Sequence, residues 1–343
     1  MCEPDYPAEL NIPIPFSLIS NDVPRDRLVV MPAYWFMYNM YALERNGWKY
    51  KDRDKRKERI QHLEYNYLAP DSINEIVESI KLFQKFTGKA YFKKNEPEKE
   101  LTDEEVITKG KQLIEDKDRL INNLEILADG FENTKRKVVL IKIVKSYHIF
   151  KDLVTFYCVN QLLQHLKEKG IADYENLLNS LPQKYVLNEW INVGGQLIPQ
   201  SEISLLNKRI RDGKIKSWDS LHSFYQQQEN LYSTQKLVHV LAAVQTVTGI
   251  QIRKMKQEAF NNMLNSAVAA KEWMTQGIYQ SRAKDYTNPF RKITFNNLEE
   301  MNEVAGKLEC NSFIKQQNED LVNYQKQIAE VKENMKLNGI HNF

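Results

Sequence analysis

The sequence predicts an all-α protein, a multi-helix bundle of long antiparallel helices with an extended, proline-rich N-terminal arm. Glycine and proline are scarce, at 12 and 11 of 343 residues, which leaves few places for tight turns. The prolines are concentrated between Pro4 and Pro32, so the later chain is free to form long helices. An apolar content of 42% indicates a globular chain with a large core.

Residues 1–30 are predicted to form the extended arm or linker. In the segment NIPIPFSLIS, each proline disfavours helical geometry in the residue before it. Pro13 and Pro15 also lack a backbone hydrogen-bond donor, so we expect an arm or an edge strand here rather than a central strand. The polar turn NDVPRDR follows this segment.

Helical patterns fill the rest of the chain. Pro32 suits the first turn of a helix and Gly47 suits its end, which predicts one helix between them. The letters TDEE starting at Thr102 form a capping box, and apolar residues at 4-3 spacing continue after it to Leu127. Other helices are predicted over residues 72–88, 134–169, 173–181, 201–211, 217–249, 250–279 and 311–336.

The clearest break in the helical pattern is the Gly194-Gly195 pair, which is followed by Pro199. We therefore expect one helical half over residues 31–191 and a second over residues 192–343. One continuous helical domain is the alternative.

Composition argues against several functional classes. The net charge of +3, with 27% charged residues, lacks the basic excess typical of nucleic-acid-binding proteins. The three cysteines are far apart and fit neither a disulfide framework nor a metal site, which favours a reducing, cytoplasmic location. The N-terminal residues do not fit a signal peptide, and the longest apolar run is too short to span a membrane.

Catalytic motifs are not found in the sequence. It contains no phosphate-binding or dinucleotide-binding glycine motif, no zinc-protease motif and no hydrolase nucleophile elbow. The six histidines show no metal-binding pair at helical spacing, so neither a metal site nor a cofactor is predicted. Whether the protein is an enzyme stays open at this point.

The most site-like stretch runs from Leu28 to Arg59, where an aromatic, apolar run passes into alternating charge. Aromatic rings can stack on sugars or bases, while Arg and Asn side chains can hold phosphate or hydroxyl groups. The alternative is that these residues build the core or a domain interface. The candidate ligand-binding residues are Arg25, Arg27, Tyr34, Trp35, Tyr38, Asn39 and Arg45.

The charged run from Lys49 to Arg59 has two interpretations. Its seven basic groups could contact phosphates. Its three interleaved acidic groups instead favour a solvated face whose charges pair with one another.

The segments NIPIPFSLISNDVPRDRLVVMPAYWFMYNMYALERNGWKYKDRDKR and IQHLEYNYLAPDS resemble a bacterial domain-of-unknown-function family. The resemblance implies long proteins in which a left-handed β-helix of hexapeptide repeats precedes a helical region, and this chain is similar to the helical region. No hexapeptide repeats occur in this chain. Under the resemblance, the proline-rich arm is the exit from that β-helix, and no catalytic residues are implied.

Three functional hypotheses follow. The first is an assembly or ligand-binding accessory to a hexapeptide-repeat, transferase-like module, with that β-helix module or a second copy as partner. The second is an enzyme that acts on an anionic sugar- or nucleotide-like substrate at the aromatic helix of residues 34–48. The third is a helical protein-interaction scaffold. None of them involves a membrane.

Overall fold

The computed structural model of the protein describes residues 6, 8–58, 61–98 and 100–337. Pro4, Pro7 and Arg59, which belong to the predicted arm and charged run, lie outside the described residues.

The fold is all-α in class, with two small sheets among the described residues. The α-helices are α1 (Tyr34–Tyr38), α2 (Met40–Arg53), α3 (Pro70–Asn95), α4 (Asp103–Glu115), α5 (Ile143–Lys169), α6 (Tyr174–Ser180), α7 (Gln200–Arg211), α8 (Trp218–Thr248), α9 (Gln257–Thr287), α10 (Pro289–Lys292), α11 (Leu298–Ala305) and α12 (Ser312–Asn334). The strands are β1 (Leu18–Asp22), β2 (Arg27–Met31), β3 (Lys137–Leu140), β4 (Trp190–Val193) and β5 (Gln196–Pro199).

The described chain divides into two compact units. The first unit takes its described residues from Met1–Met37 and Ser72–Leu153. The second unit takes them from Tyr38–Asp71 and Val154–Phe343. Each unit therefore combines segments that are distant in the sequence.

The first unit contains a three-stranded sheet in the order β1-β2-β3. Strands β1 and β2 are antiparallel, whereas β2 and β3 are parallel, with Val30 opposite Leu140. Leu28 and Val30 alternate with more exposed neighbours and are completely buried, as expected for one face of a strand. The extended proline-rich arm is not confirmed, because Leu18–Asp22 and Arg27–Met31 form strands of this sheet, with a 3₁₀ helix over Val23–Arg25 between them.

Helices α3 and α4 of the first unit approach each other closely at two glycines. A Cβ atom placed on Gly88 would lie 1.9 Å from the carbonyl oxygen of Val106. A Cβ atom on Gly110 would lie 1.8 Å from the carbonyl oxygen of Gln84. The predicted helix end at Gly88 is therefore wrong, since this glycine lies inside α3 and permits close packing.

The start of α4 is confirmed as a capping box. The Thr102 hydroxyl accepts a hydrogen bond from the Glu105 backbone N–H at 3.3 Å, and the Glu105 carboxylate accepts one from the Thr102 backbone N–H at 2.9 Å. The predicted continuation to Leu127 is wrong, because α4 ends at Glu115 and a 3₁₀ helix follows over Arg119–Asn123.

The predicted helix over residues 134–169 is correct only from Ile143 onward. Its first part is strand β3, where the β-branched Val138 and Val139 pack into the sheet. A short apolar run of this kind fits a buried strand as well as a buried helix.

The second unit contains the longest helices. The start of α8 is confirmed, because the Ser217 hydroxyl accepts a hydrogen bond from the Ser220 backbone N–H at 3.2 Å. Its end is also confirmed at Gly249, which has a φ of 74°.

The predicted helix end at Gly47 is wrong, because α2 continues to Arg53 and packs against α9.

Candidate functional site

A two-stranded hairpin in the second unit fixes the loop that carries the candidate site. Strands β4 and β5 are joined by Gly194 and Gly195, whose φ values of +62° and +99° favour glycine. The Gly195 carbonyl accepts a hydrogen bond from the Glu64 backbone N–H at 3.0 Å. The Gln61 side chain donates another to the Val193 carbonyl. These bonds hold the 61–67 loop against the hairpin and position Glu64.

Both oxygens of the Glu64 carboxylate accept hydrogen bonds. Its Oε2 accepts the Tyr232 hydroxyl at 2.5 Å and the Lys236 ammonium at 3.0 Å. Its Oε1 accepts the backbone and side-chain amides of Asn66 at 3.0 and 2.8 Å. Burial raises the pKa of Glu64, but Lys236, Tyr232 and Asn66 together outweigh burial and hold the pKa below its ordinary value. Glu64 is therefore ionised at neutral pH.

Lys236 is the cationic partner of this carboxylate and lies within α8. The side chains of Lys236 and Glu64 are only 9% and 6% exposed. The ammonium also lies 5.4 Å from the ring centroid of Tyr157 and 5.2 Å from that of Tyr232, which are cation–π distances. Burial, together with the charge of Lys236, lowers the pKa of His239 to about 3, so this neighbouring imidazole is neutral.

A cavity of about 240 Å³ lies beside the ion pair, within the second unit. Tyr157 contributes to its wall and is 2% exposed. The Tyr157 hydroxyl has no hydrogen-bond partner among the described residues. Burial raises the pKa of this hydroxyl well above its ordinary value, so it stays protonated. The polar groups of the wall belong to two lysines, two tyrosines, one glutamate and three carboxamides, namely Lys236, Lys271, Tyr67, Tyr157, Glu44, Asn66, Asn160 and Gln161.

Glu44 provides the carboxylate of this cavity and accepts a hydrogen bond from the Tyr67 hydroxyl. Burial raises the pKa of Glu44, the Tyr67 hydrogen bond and the charge of Lys271 oppose the rise, and the net shift is upward. The Lys271 ammonium donates to the Gln317 side-chain oxygen at 3.3 Å. A second cavity, of about 370 Å³, shares Asn66 and Lys236 with the first.

Replacing Glu44 with glutamine is expected to raise the melting temperature at about pH 8 more than at about pH 4. The folded pKa of Glu44 is raised, so its stabilising contribution is complete below the ordinary value of 4.5 and is lost as the pH rises through the folded pKa. Glutamine still accepts from Tyr67 but carries no charge to desolvate. Thermal melts followed by circular dichroism across this pH range check the result.

The exposed Glu330 of α12 offers a matched control for that experiment, as Glu330→Gln removes a carboxylate that is not buried. The raised pKa of Glu44 would be contradicted if Glu44→Gln changes the melting temperature equally at every pH. It would also be contradicted if the change is no larger than that of Glu330→Gln.

The sequence-predicted ligand residues fall in both units. In the first unit, Arg25 and Arg27 bind the same Asp22 carboxylate oxygen, at 3.2 and 2.8 Å. The hydrogen bond from Arg27 is the main cause of the lowered pKa of Asp22. Tyr34 and Trp35 are half-buried in α1.

The other three predicted residues belong to the second unit. Tyr38 is 37% exposed, and its carbonyl accepts a hydrogen bond from the Lys284 ammonium at 3.3 Å. Asn39 precedes α2 without a side-chain capping bond. The Arg45 guanidinium carbon lies 5.9 Å from the ring centroid of Tyr41. A shared ligand site for all seven residues stays a prediction.

The residues of the polar cavity were not predicted from the sequence. One signal was available, because Lys236 is a cation in the apolar stretch KLVHVLAAV, four residues after Tyr232 on the same face of α8. Glu44 lies within the site-like stretch but outside the set of aromatic, Arg and Asn residues that defines the candidate site. No local signal marks Glu64 or Tyr157, since their neighbours come from distant segments.

The described residues also bear on metal binding and on membrane spanning. No group of three or more His, Cys, Asp or Glu side chains among the described residues is placed to hold a metal ion. Within the described part of the chain, no helix combines the length and apolar character that crossing a membrane requires.

Comparisons with known proteins give two matches. Residues 173–333 match the model of a domain of unknown function, DUF6819, and this range includes Tyr232, Lys236 and Lys271. The chain is also 32% identical over 318 residues to an uncharacterized protein of Treponema pallidum (strain Nichols), and the match covers 92% of this chain and 42% of that protein. The chain thus spans about two fifths of the length of that relative. No solved structure shows a significant match. The two matches support a bacterial family of unknown function.

Proposed function

We propose that the second unit is a binding module for a small anionic ligand, such as a carboxylate or phosphate compound, which occupies the 240 Å³ cavity. Tyr157 carries this proposal, since it is a residue of the cavity wall and its hydroxyl is buried without a partner among the described residues. An unsatisfied buried hydroxyl costs about 1–3 kcal/mol, and a ligand oxygen that accepts a hydrogen bond from it removes that cost.

The charges of the wall favour an anion. Lys236 and Lys271 bring ammonium groups to the cavity. Lys236 is paired with Glu64, whereas Lys271 donates to the neutral Gln317 side chain and the pKa of Glu44 is raised. An acidic ligand gains charge-assisted hydrogen bonds from such donors, and these are stronger than neutral ones. The volume corresponds to about eight water molecules, which suits a small acid or a sugar acid rather than an intact coenzyme.

The direct test is a thermal-shift screen of the protein against dicarboxylates, sugar acids, sugar phosphates and sugar nucleotides, followed by calorimetry on each hit. A ligand present at 100 times its Kd stabilises the folded state by about 2.7 kcal/mol. We therefore expect a saturable rise of about 5 °C or more in the melting temperature.

Three variants locate the binding. Tyr157→Phe removes only the unpartnered hydroxyl and Lys271→Met removes one ammonium, so both are expected to weaken each hit at least tenfold. Lys326→Met changes an exposed lysine of α12 and serves as the control. The proposal fails if no small anion stabilises the protein, or if hits bind the Tyr157 and Lys271 variants as tightly as the wild type.

A second candidate is the accessory role for a hexapeptide-repeat, transferase-like module. The observation that favours it is the length of the Treponema relative, of which the match covers only 42%. Left-handed β-helices often assemble as trimers, so the full-length relative is expected to be trimeric in light scattering while this chain alone is monomeric. A monomeric full-length relative would count against this role.

A further inference from the structure

Helix α2 presents a basic face to an open cavity of about 680 Å³ in the second unit. Asn46, Lys49, Tyr50 and Arg53 line it from successive turns of the helix, at the spacing that places residues on one face. Among the described residues, this cavity and the 240 Å³ cavity have no wall residue in common.

Two cations on this face have no partner in the described part of the chain. Lys49 and Arg53 form no hydrogen bond or ion pair within the described ranges. Arg45 extends the same row of cations at four-residue spacing, and like charges at this spacing destabilise a helix. The charge of Arg45 is the main cause of a lowered pKa at Lys49, with burial and Arg53 contributing. A bound anion would relieve this repulsion.

The carboxylate of the cavity wall does not offset these cations. Asp54 is held by the Arg56 guanidinium through two bonds of 2.9 Å, and the Tyr65 hydroxyl also donates to it. The self-paired face predicted from the sequence therefore holds for Arg56 and Asp54. It does not hold for Lys49 and Arg53.

An aromatic ring stands beside the two cations. Tyr50 is 68% exposed, and its ring centroid lies 5.7 Å from that of Tyr65, at an interplanar angle of 46°. An exposed tyrosine offers a face on which a nucleobase can stack.

We propose that this basic-aromatic face of α2 binds a nucleoside diphosphate, with the phosphates on Lys49 and Arg53 and the base on Tyr50. The cavity volume lies in the range of small-molecule sites. The proposal is independent of the ligand assigned to the 240 Å³ cavity.

Isothermal titration of the protein with adenosine diphosphate, adenosine and pyrophosphate tests it. We expect adenosine diphosphate to bind more tightly than either fragment. The double variant Lys49→Gln/Arg53→Gln is expected to weaken both adenosine diphosphate and pyrophosphate at least tenfold. Tyr50→Ala is expected to weaken adenosine diphosphate about tenfold, by loss of stacking, and to leave pyrophosphate unchanged.

One control separates this site from general charge effects. Lys326→Gln removes an exposed cation elsewhere, so it should bind adenosine diphosphate as the wild type does. The proposal is overturned if the wild type does not bind adenosine diphosphate, or if the double variant binds it normally. Binding of single-stranded RNA without binding of adenosine diphosphate would also overturn it, in favour of an RNA surface.

Discussion

Replacing Lys236 with methionine is expected to lower the free energy of unfolding by about 3–5 kcal/mol, because it leaves the Glu64 carboxylate buried without its cation. The two side chains are 9% and 6% exposed and 3.0 Å apart. Methionine has a side chain of similar length, so the decrease in the free energy of unfolding comes from the lost charge and not from a cavity. Urea denaturation at neutral pH measures it, and hydrogen exchange of the α8 amides localises it.

The pH dependence gives this prediction a second readout. In the wild type the pKa of Glu64 is lowered, so its stabilising contribution is present above the ordinary value of 4.5 and is lost as the pH falls through the folded pKa. Without Lys236, burial is the dominant influence on the pKa of Glu64. The ionised carboxylate then destabilises the folded state. The defect of the Lys236 variant should therefore shrink toward pH 4.5.

The double variant Glu64→Gln/Lys236→Met completes the test of the ion pair. Removing both charges is expected to cost less than removing Lys236 alone, because no uncompensated charge stays buried. Lys326→Met, at an exposed position, should change stability by less than about 0.5 kcal/mol. With Glu64→Gln measured alone as well, a double-variant effect equal to the sum of the two single effects would show that Glu64 and Lys236 are not coupled.

Replacing Gly110 with alanine is expected to destabilise the first unit by about 3 kcal/mol, which is the range for overpacking. The added Cβ would lie 1.8 Å from the carbonyl oxygen of Gln84, so α3 and α4 must move apart. In an unhindered helix the same change stabilises by about 1 kcal/mol. The sign of the measured effect therefore decides whether the close approach exists.

Gly277 of α9 is the matched control for this experiment. It is also a helical glycine, but the nearest atom to its Cβ position is 3.6 Å away, on the Met40 side chain. Gly277→Ala is expected to be neutral or stabilising in urea denaturation followed by circular dichroism. Stabilisation by Gly110→Ala as well would refute the close crossing of the two helices.

The sequence predicts α8 well because local chemistry sets its ends, whereas the helix predicted over residues 250–279 is α9, at Gln257–Thr287. Ser217 and Gly249 bound α8 through a side-chain cap and a left-handed residue, and both signals are visible in the sequence. Strand β3 was missed because its partner β2 lies far away in the sequence. Its apolar run continues into α5 without a break in the pattern.

Much less of the candidate site could be predicted. The environment of Glu64 depends on the hairpin that holds its loop and on hydrogen-bond donors from α8. Because these segments are distant in the sequence, no residue spacing predicts their contact. Tyr157 stands out only because its hydroxyl lacks a partner among the described residues, which is a property of the folded chain. By contrast, the charged run was recognised, and the structure separates its paired members from Lys49 and Arg53.

The parallel pairing of β2 with β3 bears on how the protein is made. Val30 pairs with Leu140, so roughly 110 residues must be synthesised after β2 before its partner exists, a wait of roughly 5 to 20 s at cellular rates. Throughout that time the β1–β2 hairpin has an open edge, which is a template for pairing with other chains. A nascent chain therefore exposes this strand edge to other chains until residue 140 has been synthesised.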